Sequence, residues 1–331
     1  MKIAFLLIII LISSNSFSKS LNIMTFNVWL VKKLGISISS ILEEERLPLI
    51  AKHIKDANPD VVAIQEIWSF SLRDKLINKL SAKYPHTYFR KFHVGMGDGM
   101  ILLSKYPIVK NSSTFHVFED GTALEEQHLI PLIGVEKGVY KVTLNVDETM
   151  IDIFSFHLGA VYFEEEINDY NPEHVAGRAQ QIDEMISFIE TNIDKTRPTI
   201  LLGDLNNHFF NWNPGTNFRE RKLTYEYETI LNANFEDSYM QANNINLEID
   251  SMQVLDIATF DTVNNTYASG GNFGKIPKEF VDYIFYYKNN TIFPARSHVI
   301  FKENLPQETI NSPKYLSDHY AVLTEFEIHD K

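Results

Sequence analysis

The chain has 331 residues, 44% of them hydrophobic, which is enough for one large domain or two small ones. Its formal charge of −13 excludes a general attraction to polyanions, though not a local basic site. It has no cysteine, so no disulfide framework holds it and the core alone must do so.

The first elements do not belong to a fold. Met1-Lys2 is a short basic start, Ile3 to Ile12 an unbroken apolar run, and SSNSFS a polar, small-residue close. This order is that of a secretory signal peptide, expected over residues 1–18 with cleavage near Ser18. The apolar run falls short of the ~20 residues that a membrane-spanning helix needs. A secreted or periplasmic location is expected, with residues 19–331 as a single domain, because no linker-like stretch divides them.

LNIMTFNV (21–28) then reads as a strand, and residues 43–57 as a helix with Leu47, Ile50 and Ile54 on one face. DVVAIQEI (60–67) is a buried strand, LRDKLINKL (72–80) a helix, and MILLSKYPIV a further strand. YKVTLNV and MIDIFSFHL pair as an antiparallel hairpin. Residues 173–191 form the clearest helix, its apolar face expected from Val175, Ala179, Ile182, Ile186 and Ile189. TILLGDLN (199–206), FVDYIFYY (280–287) and HYAVLTEFEI (319–328) complete the strands, and residues 207–222 and 240–278 are loop-rich. The mixture predicts an α/β chain of two packed sheets flanked by helices.

The polar residues cluster at the strand ends: Asn27, Glu66, His157, Asp204, Asn206, Asp282, and the pair Asp318-His319. Singly, each has an ordinary structural reading, as a turn cap, a surface acid or a satisfied core histidine. Together they supply what metal-assisted attack on a phosphate requires. Glu66 offers a hard oxygen ligand for Mg²⁺. A histidine with a carboxylate partner activates water. Neutral donors stabilise charge on the phosphate's equatorial oxygens.

The order N-x-W, Q-E-x-W, SKYPI, H-x-x-A, GDLN, DY and SDH resembles the endonuclease/exonuclease/phosphatase superfamily from about Asn22 to the C-terminus. Asn27-Val28-Trp29, QEIWS (65–69), GDGMILLSKYPI (97–108) and HVAGRAQQIDEMISFI (174–189) are most similar to the Mg²⁺-dependent neutral sphingomyelinases. The resemblance implies a DNase I-like four-layer sandwich of two mixed β-sheets flanked by helices. It implies a secreted, Mg²⁺-dependent phosphodiesterase that hydrolyses sphingomyelin to ceramide and phosphocholine, with Mn²⁺ or another divalent cation as alternatives. On this resemblance His319 is the general base and Asp282 orients it. Glu66 is the principal metal ligand with Asn27 beside it, and Asp318 has a supporting or second-metal role. His157 and Asn206 hold the phosphate oxygens, while Asp204 assists the leaving oxygen or positions a metal-bound water. Leu30 stands where those enzymes usually have Gly, and Phe156 where they have Thr, departures that bear on substrate preference.

A membrane sphingolipid is thus the expected substrate, for a chain expected to be a monomer. HFFNWNPGTNF (208–218) follows GDLN directly. Phe209, Phe210 and Trp212 there either dip into a membrane interface or cover the core beside the site. The alternative function is an exported metal-dependent endonuclease acting on DNA or RNA. The acidic surface argues against any stable nucleic-acid partner. A relative that binds lipid or a receptor without catalysis is disfavoured because every expected polar residue is present.

Overall fold

The computed structural model describes residues 19–30, 42–91, 97–119, 136–161, 163–164, 169–213, 218–247, 257–269, 278–306, 309 and 312–329. The expected leader over 1–18 lies outside them. In chain order the elements are β1 (Lys19–Leu30), α1 (Glu43–Ala57), β2 (Val61–Ile67), α2 (Phe70–Leu80), β3 (His86–Tyr88), β4 (Ile101–Ser104), β5 (Thr114–Val117), β6 (Gly138–Val146), β7 (Thr149–His157), β8 (Phe163–Glu164), β9 (Asp169–Tyr170), α3 (Pro172–Asn192), β10 (Thr199–Asp204), β11 (Phe210–Asn213), β12 (Phe218–Leu223), α4 (Tyr225–Asn232), β13 (Phe235–Asp237), α5 (Ser238–Ala242), β14 (Asp282–Tyr287), β15 (Ile292–Ile300) and β16 (Ala321–Ile328).

Period-two alternation builds the first sheet, of order β15-β16-β1-β2-β4-β3. Leu21, Ile23, Val61, Ala63 and Leu102 belong to the cluster shared with the second sheet. The intervening Met24, Phe26, Val62, Ile64, Ile101 and Leu103 pack with α1 and α2 instead. α1 meets them with Leu47, Ile50 and Ile54, as its spacing predicts, and also buries Arg46. The strand expected over MILLSKYPIV is shorter than its sequence suggests. It stops at Ser104, whose hydroxyl accepts from Tyr106 N at 3.0 Å and turns the chain ahead of Pro107.

The second sheet runs β13-β14-β10-β7-β6-β5. The predicted β6–β7 hairpin pairs from Gly138↔His157 to Val146↔Thr149. Its two-residue turn, Asp147 and Glu148, has φ of 48° and 74°, the positive values that a type I′ turn requires. α3 covers the outer face with the expected Ile182 and Ile189 buried and Ile186 packed against the core, but its first turns differ from the expectation. His174, Arg178, Gln181, Ile182, Met185 and Ile189 are buried, while Val175 is 41% exposed. Apolar periodicity missed that the buried stripe starts with polar residues, which the candidate active site uses.

Each sheet contains one parallel pair, β1/β2 and β7/β10, with the remaining ladders antiparallel. The crossovers are α1 and α3, so each sheet holds a βαβ unit whose helix lies on the outside. The carboxyl ends of these four strands carry Asn27, Glu66, His157 and Asp204. β14 and β16 run the opposite way, so their amino ends bring Asp282, Asp318 and His319 to the same edge. This is why residues far apart in sequence share one rim. Among the described residues no helix is long and apolar enough to cross a membrane.

Candidate active site

Register sets the first row of the site. Asp282 pairs with Asp204, Asp204 with His157, and His157 with Gly138 across neighbouring strands. Strands lie about 4.8 Å apart, so the three functional side chains line up on one face. Gly203, just before Asp204, has φ 154°, and a Cβ there would sit 2.0 Å from Phe156 O. Glycine is thus required by the close approach of β10 to β7.

The facing sheet supplies the other half. Asn27 Nδ2 donates to Asp204 Oδ2 at 2.9 Å and lies 3.5 Å from His319 Nε2. His319 Nδ1 meets Asp282 Oδ2 at 2.8 Å, so imidazole and carboxylate form a dyad. Thr259 Oγ1 accepts from Asp282 N at 3.0 Å and steadies the carboxylate's strand end. Glu66, the penultimate residue of β2, has φ 60°, a left-handed conformation costing on the order of 1 kcal/mol or more for a non-glycine residue. That turn brings Glu66 Oε1 to 3.6 Å from His157 Nε2. Asp318 is buried, with Oδ1 3.0 Å from Ser317 Oγ.

All eight expected site residues therefore converge. Their detailed arrangement differs from expectation at two places. The Asn206 amide donates inward, to Leu158 O at 2.9 Å and Asp204 Oδ2 at 3.3 Å. These two contacts orient the Asp204 carboxylate. His157 Nε2 sits 2.8 Å from Lys137 Nζ, so the histidine accepts and its proton is on Nδ1. Burial, then the charges of Lys137 and His319, keep His157 neutral with a pKa well below 6.5.

Sequence reasoning missed several residues here. Lys137 is buried, with Nζ also donating to Leu158 O at 3.0 Å. A lysine in an acidic chain has a solvated face as its default reading, so nothing marks it. Arg178 and Gln181 were within reach, because both lie in the helix motif already singled out. Arg178 donates to Asn206 O and pairs with Glu226 at 2.7 Å. Gln181 Oε1 accepts from Gly159 N at 2.7 Å. One face of α3 thus ties down the two loops that follow His157 and Asp204.

Of the two readings of the aromatic loop, the core one holds for Phe209 and Phe210, and membrane contact by these two is corrected. Phe209 is fully buried and Phe210 nearly so. Phe209 packs on Phe210, Tyr227 and Phe280 with ring centroids 5.0, 6.0 and 6.3 Å away. These two rings fill the core behind the site and are not available to a membrane. Trp212 is half-buried, with the Arg219 guanidinium 5.5 Å over its ring.

The electrostatics favour a cation. Glu66, Asp204, Asp282 and Asp318 crowd one rim. Burial and the Asp282 charge push Asp204 up to about 7. Burial raises Asp318 to about 6, with Glu66 adding to the shift. Burial alone would lower His319, but Asp282, Asp318 and Asp204 outweigh it and hold the imidazole well above 6.5. Asp282 Oδ1 is buried with no partner. Glu66, His157 and Asp204 each present a ligand atom within 4.8 Å of the others. Hard carboxylate oxygens short of positive charge fit a divalent cation of the Mg²⁺ type.

A model of the endonuclease/exonuclease/phosphatase family matches residues 24–319. A Drosophila melanogaster protein provisionally named a neutral sphingomyelinase is 32% identical over 188 residues, 56% of this chain and 39% of that protein. The chain thus matches well under two thirds of that relative's length. Sphingomyelinase C from Streptomyces griseocarneus has a TM-score of 0.66 at 21% identity, covering 93% of this chain and 99% of that one. A mutant beta toxin from Staphylococcus aureus with bound magnesium ions has a TM-score of 0.65 at 20% identity, covering 95% and 100%. At these identities the likeness to the solved structures is one of fold: a DNase I-like α/β sandwich of two mixed sheets with flanking helices.

Proposed function

The chain belongs to the endonuclease/exonuclease/phosphatase family, and from that premise we propose that it is an exported, Mg²⁺-dependent phosphodiesterase that hydrolyses sphingomyelin to ceramide and phosphocholine. One observation carries the chemistry: a His319–Asp282 dyad faces Glu66, Asp204 and Lys137 across a buried rim where acids outnumber bases. The relatives' names support the lipid substrate, and the basic, apolar and polar order of residues 1–18 supports export.

Glu66, with Asn27 beside it, would hold the cation, which when bound would supply positive charge to the phosphate. The remaining work belongs to the chain's own groups. Asp282 fixes His319 Nδ1, leaving Nε2 to take the proton of the attacking water. Lys137 spends one N–H on His157 and one on Leu158 O, and its third N–H offers full charge to an equatorial phosphate oxygen. Asp204, with its pKa near 7, is placed to protonate the departing ceramide oxygen. Asn27 and Asn206 hold it there by their amides.

The test is phosphocholine release from sphingomyelin vesicles by the purified protein, with Mg²⁺ and with EDTA, beside plasmid DNA in the same buffer. Lipid cleavage that EDTA abolishes, with plasmid intact, is expected. Nicked plasmid with intact lipid would overturn the substrate and move the same residues to a nuclease.

A pH dependence follows from the same charges. Because the surrounding carboxylates raise His319, it is protonated at neutral pH in the cation-free protein and must lose that proton to act as a base. Positive charge entering beside Asp204 and Asp318 lowers it again. Activity is expected to rise with pH along an acid limb whose midpoint falls as Mg²⁺ concentration increases. An acid limb that ignores Mg²⁺ would remove His319 as the titrating base.

A further inference from the structure

We propose that Arg46 is a positioning residue for the cation side of the site, its guanidinium tying the end of β1 to the segment before β16 where their ladder stops. The β1–β16 register runs from Lys19↔Ile328 to Thr25↔Val322. Past that pair the two segments carry Asn27 on one side and Asp318-His319 on the other. Arg46 Nη1 donates to Val28 O at 2.9 Å and to Leu316 O at 2.7 Å, and Nη2 donates to Trp29 O. The acceptors thus lie one and two residues after Asn27, and two before Asp318.

Three details make this more than a satisfied core arginine. Trp29 has φ 46°, and the guanidinium takes its carbonyl in that strained conformation. The rings of Trp29 and Tyr267 lie near the guanidinium at 5.4 and 5.9 Å and confine it. The segment is also fastened independently. Ser317 Oγ donates to Asn27 O at 2.8 Å, and Asn265 Nδ2 donates to Ser317 O and Asp318 O at 2.9 and 3.1 Å. So many ties on one short stretch indicate that the spacing of Asn27 and Asp318 is what they protect. Arginine is required because a planar fork of donors spans two segments, whereas an ammonium is a point donor. Arg46 is 0% exposed, and burial draws it down to about 10, so it stays charged at neutral pH.

The role rests on Glu66 and Asn27 as the cation's residues, so the experiment reads cation binding apart from turnover. Wild type, Arg46→Lys, Glu66→Gln and Ile54→Ala are titrated with Mg²⁺ by thermal shift, and phosphocholine release is measured beside it. Ile54 is buried on the same helix and serves as a control for lost packing. Arg46→Lys is expected to raise the half-saturating Mg²⁺ about tenfold and lower kcat on the order of 10- to 100-fold, with KM nearly unchanged. Ile54→Ala is expected to lower the melting temperature without moving the Mg²⁺ midpoint. Equal Mg²⁺ midpoints in Arg46→Lys and wild type, or an equal shift in Ile54→Ala, would overturn the proposal. A Mg²⁺ response that survives Glu66→Gln would instead overturn the cation assignment on which it stands. If Arg46→Lys does not fold, Ser317→Ala is read in its place. It cuts the remaining side-chain tie to Asn27 O, and an unmoved Mg²⁺ midpoint there rejects the positioning role.

Discussion

His319→Ala is expected to lower kcat for phosphocholine release by about 10²- to 10⁴-fold, the range that a positioned general base contributes. The imidazole is the group whose far nitrogen is fixed on Asp282 while its near nitrogen faces the rim. The same substitution is expected to destabilise the fold. Asp282 is 0% exposed, its Oδ1 has no partner, and its Oδ2 would lose His319. Breaking a buried pair by removing one partner costs about 3–5 kcal/mol, because the other charge is stranded. The double variant His319→Ala/Asp282→Asn separates the two effects. It removes the stranded charge, so thermal stability should recover while turnover does not. Steady-state kinetics beside thermal unfolding checks both. Turnover within tenfold of wild type in either variant would exclude His319 as the base. Activity that returns with stability would mean that the single variant had lost only its fold.

How far the site could be read from sequence depends on the kind of signal each residue leaves. Asn27, Glu66, His157, Asp204, Asp282 and Asp318-His319 were legible because each interrupts or bounds an apolar strand, where a polar residue has no packing reason to be. Strand direction then brings those ends together, and the parallel β1/β2 and β7/β10 pairs follow from the helices between them. Lys137 and Arg46 left no such mark. Lys137 precedes β6 beside Glu136, and Arg46 follows three glutamates, so both read as members of solvated charge runs. Only the folded chain shows that one meets His157 and the other the carbonyls of Val28, Trp29 and Leu316.

The errors have equally specific causes. Apolar periodicity puts Val175 on the buried face of α3 because it gives no weight to the polar His174, Arg178 and Gln181. Arg178 and Gln181 are buried because the loops after His157 and Asp204 need donors and acceptors there, a demand that hydropathy does not register. Phe209 and Phe210 leave both an interfacial and a core-covering reading open in the sequence, because Pro and Gly follow them. The aromatic cluster of Tyr227 and Phe280 that receives Phe209 comes from segments too distant to foresee.

Lys137 is where structure adds most to the proposed chemistry. Lys137→Met is expected to lower kcat on the order of 10²- to 10³-fold, as loss of one preorganised donor to developing charge does, with a smaller effect on KM. The argument turns on what the ammonium does for two partners. It donates to His157 Nε2 at 2.8 Å and to Leu158 O at 3.0 Å, so it is held at the rim before substrate arrives. Its charge also helps, after burial, to keep His157 neutral. Methionine conserves the apolar stem and removes the charge, so packing around Gly138 should persist. His157 should then titrate at higher pH in Lys137→Met than in wild type, because one of the charges that lowers it has gone, while burial still keeps it below 6.5. NMR titration of the His157 ring reads this without substrate. If the ring titration moves upward and kcat falls, Lys137 acts on both the histidine and the phosphate. If the ring moves and kcat stays within a few-fold, the ammonium only sets the protonation of His157, and the charge on the phosphate must be met by the cation side of the rim.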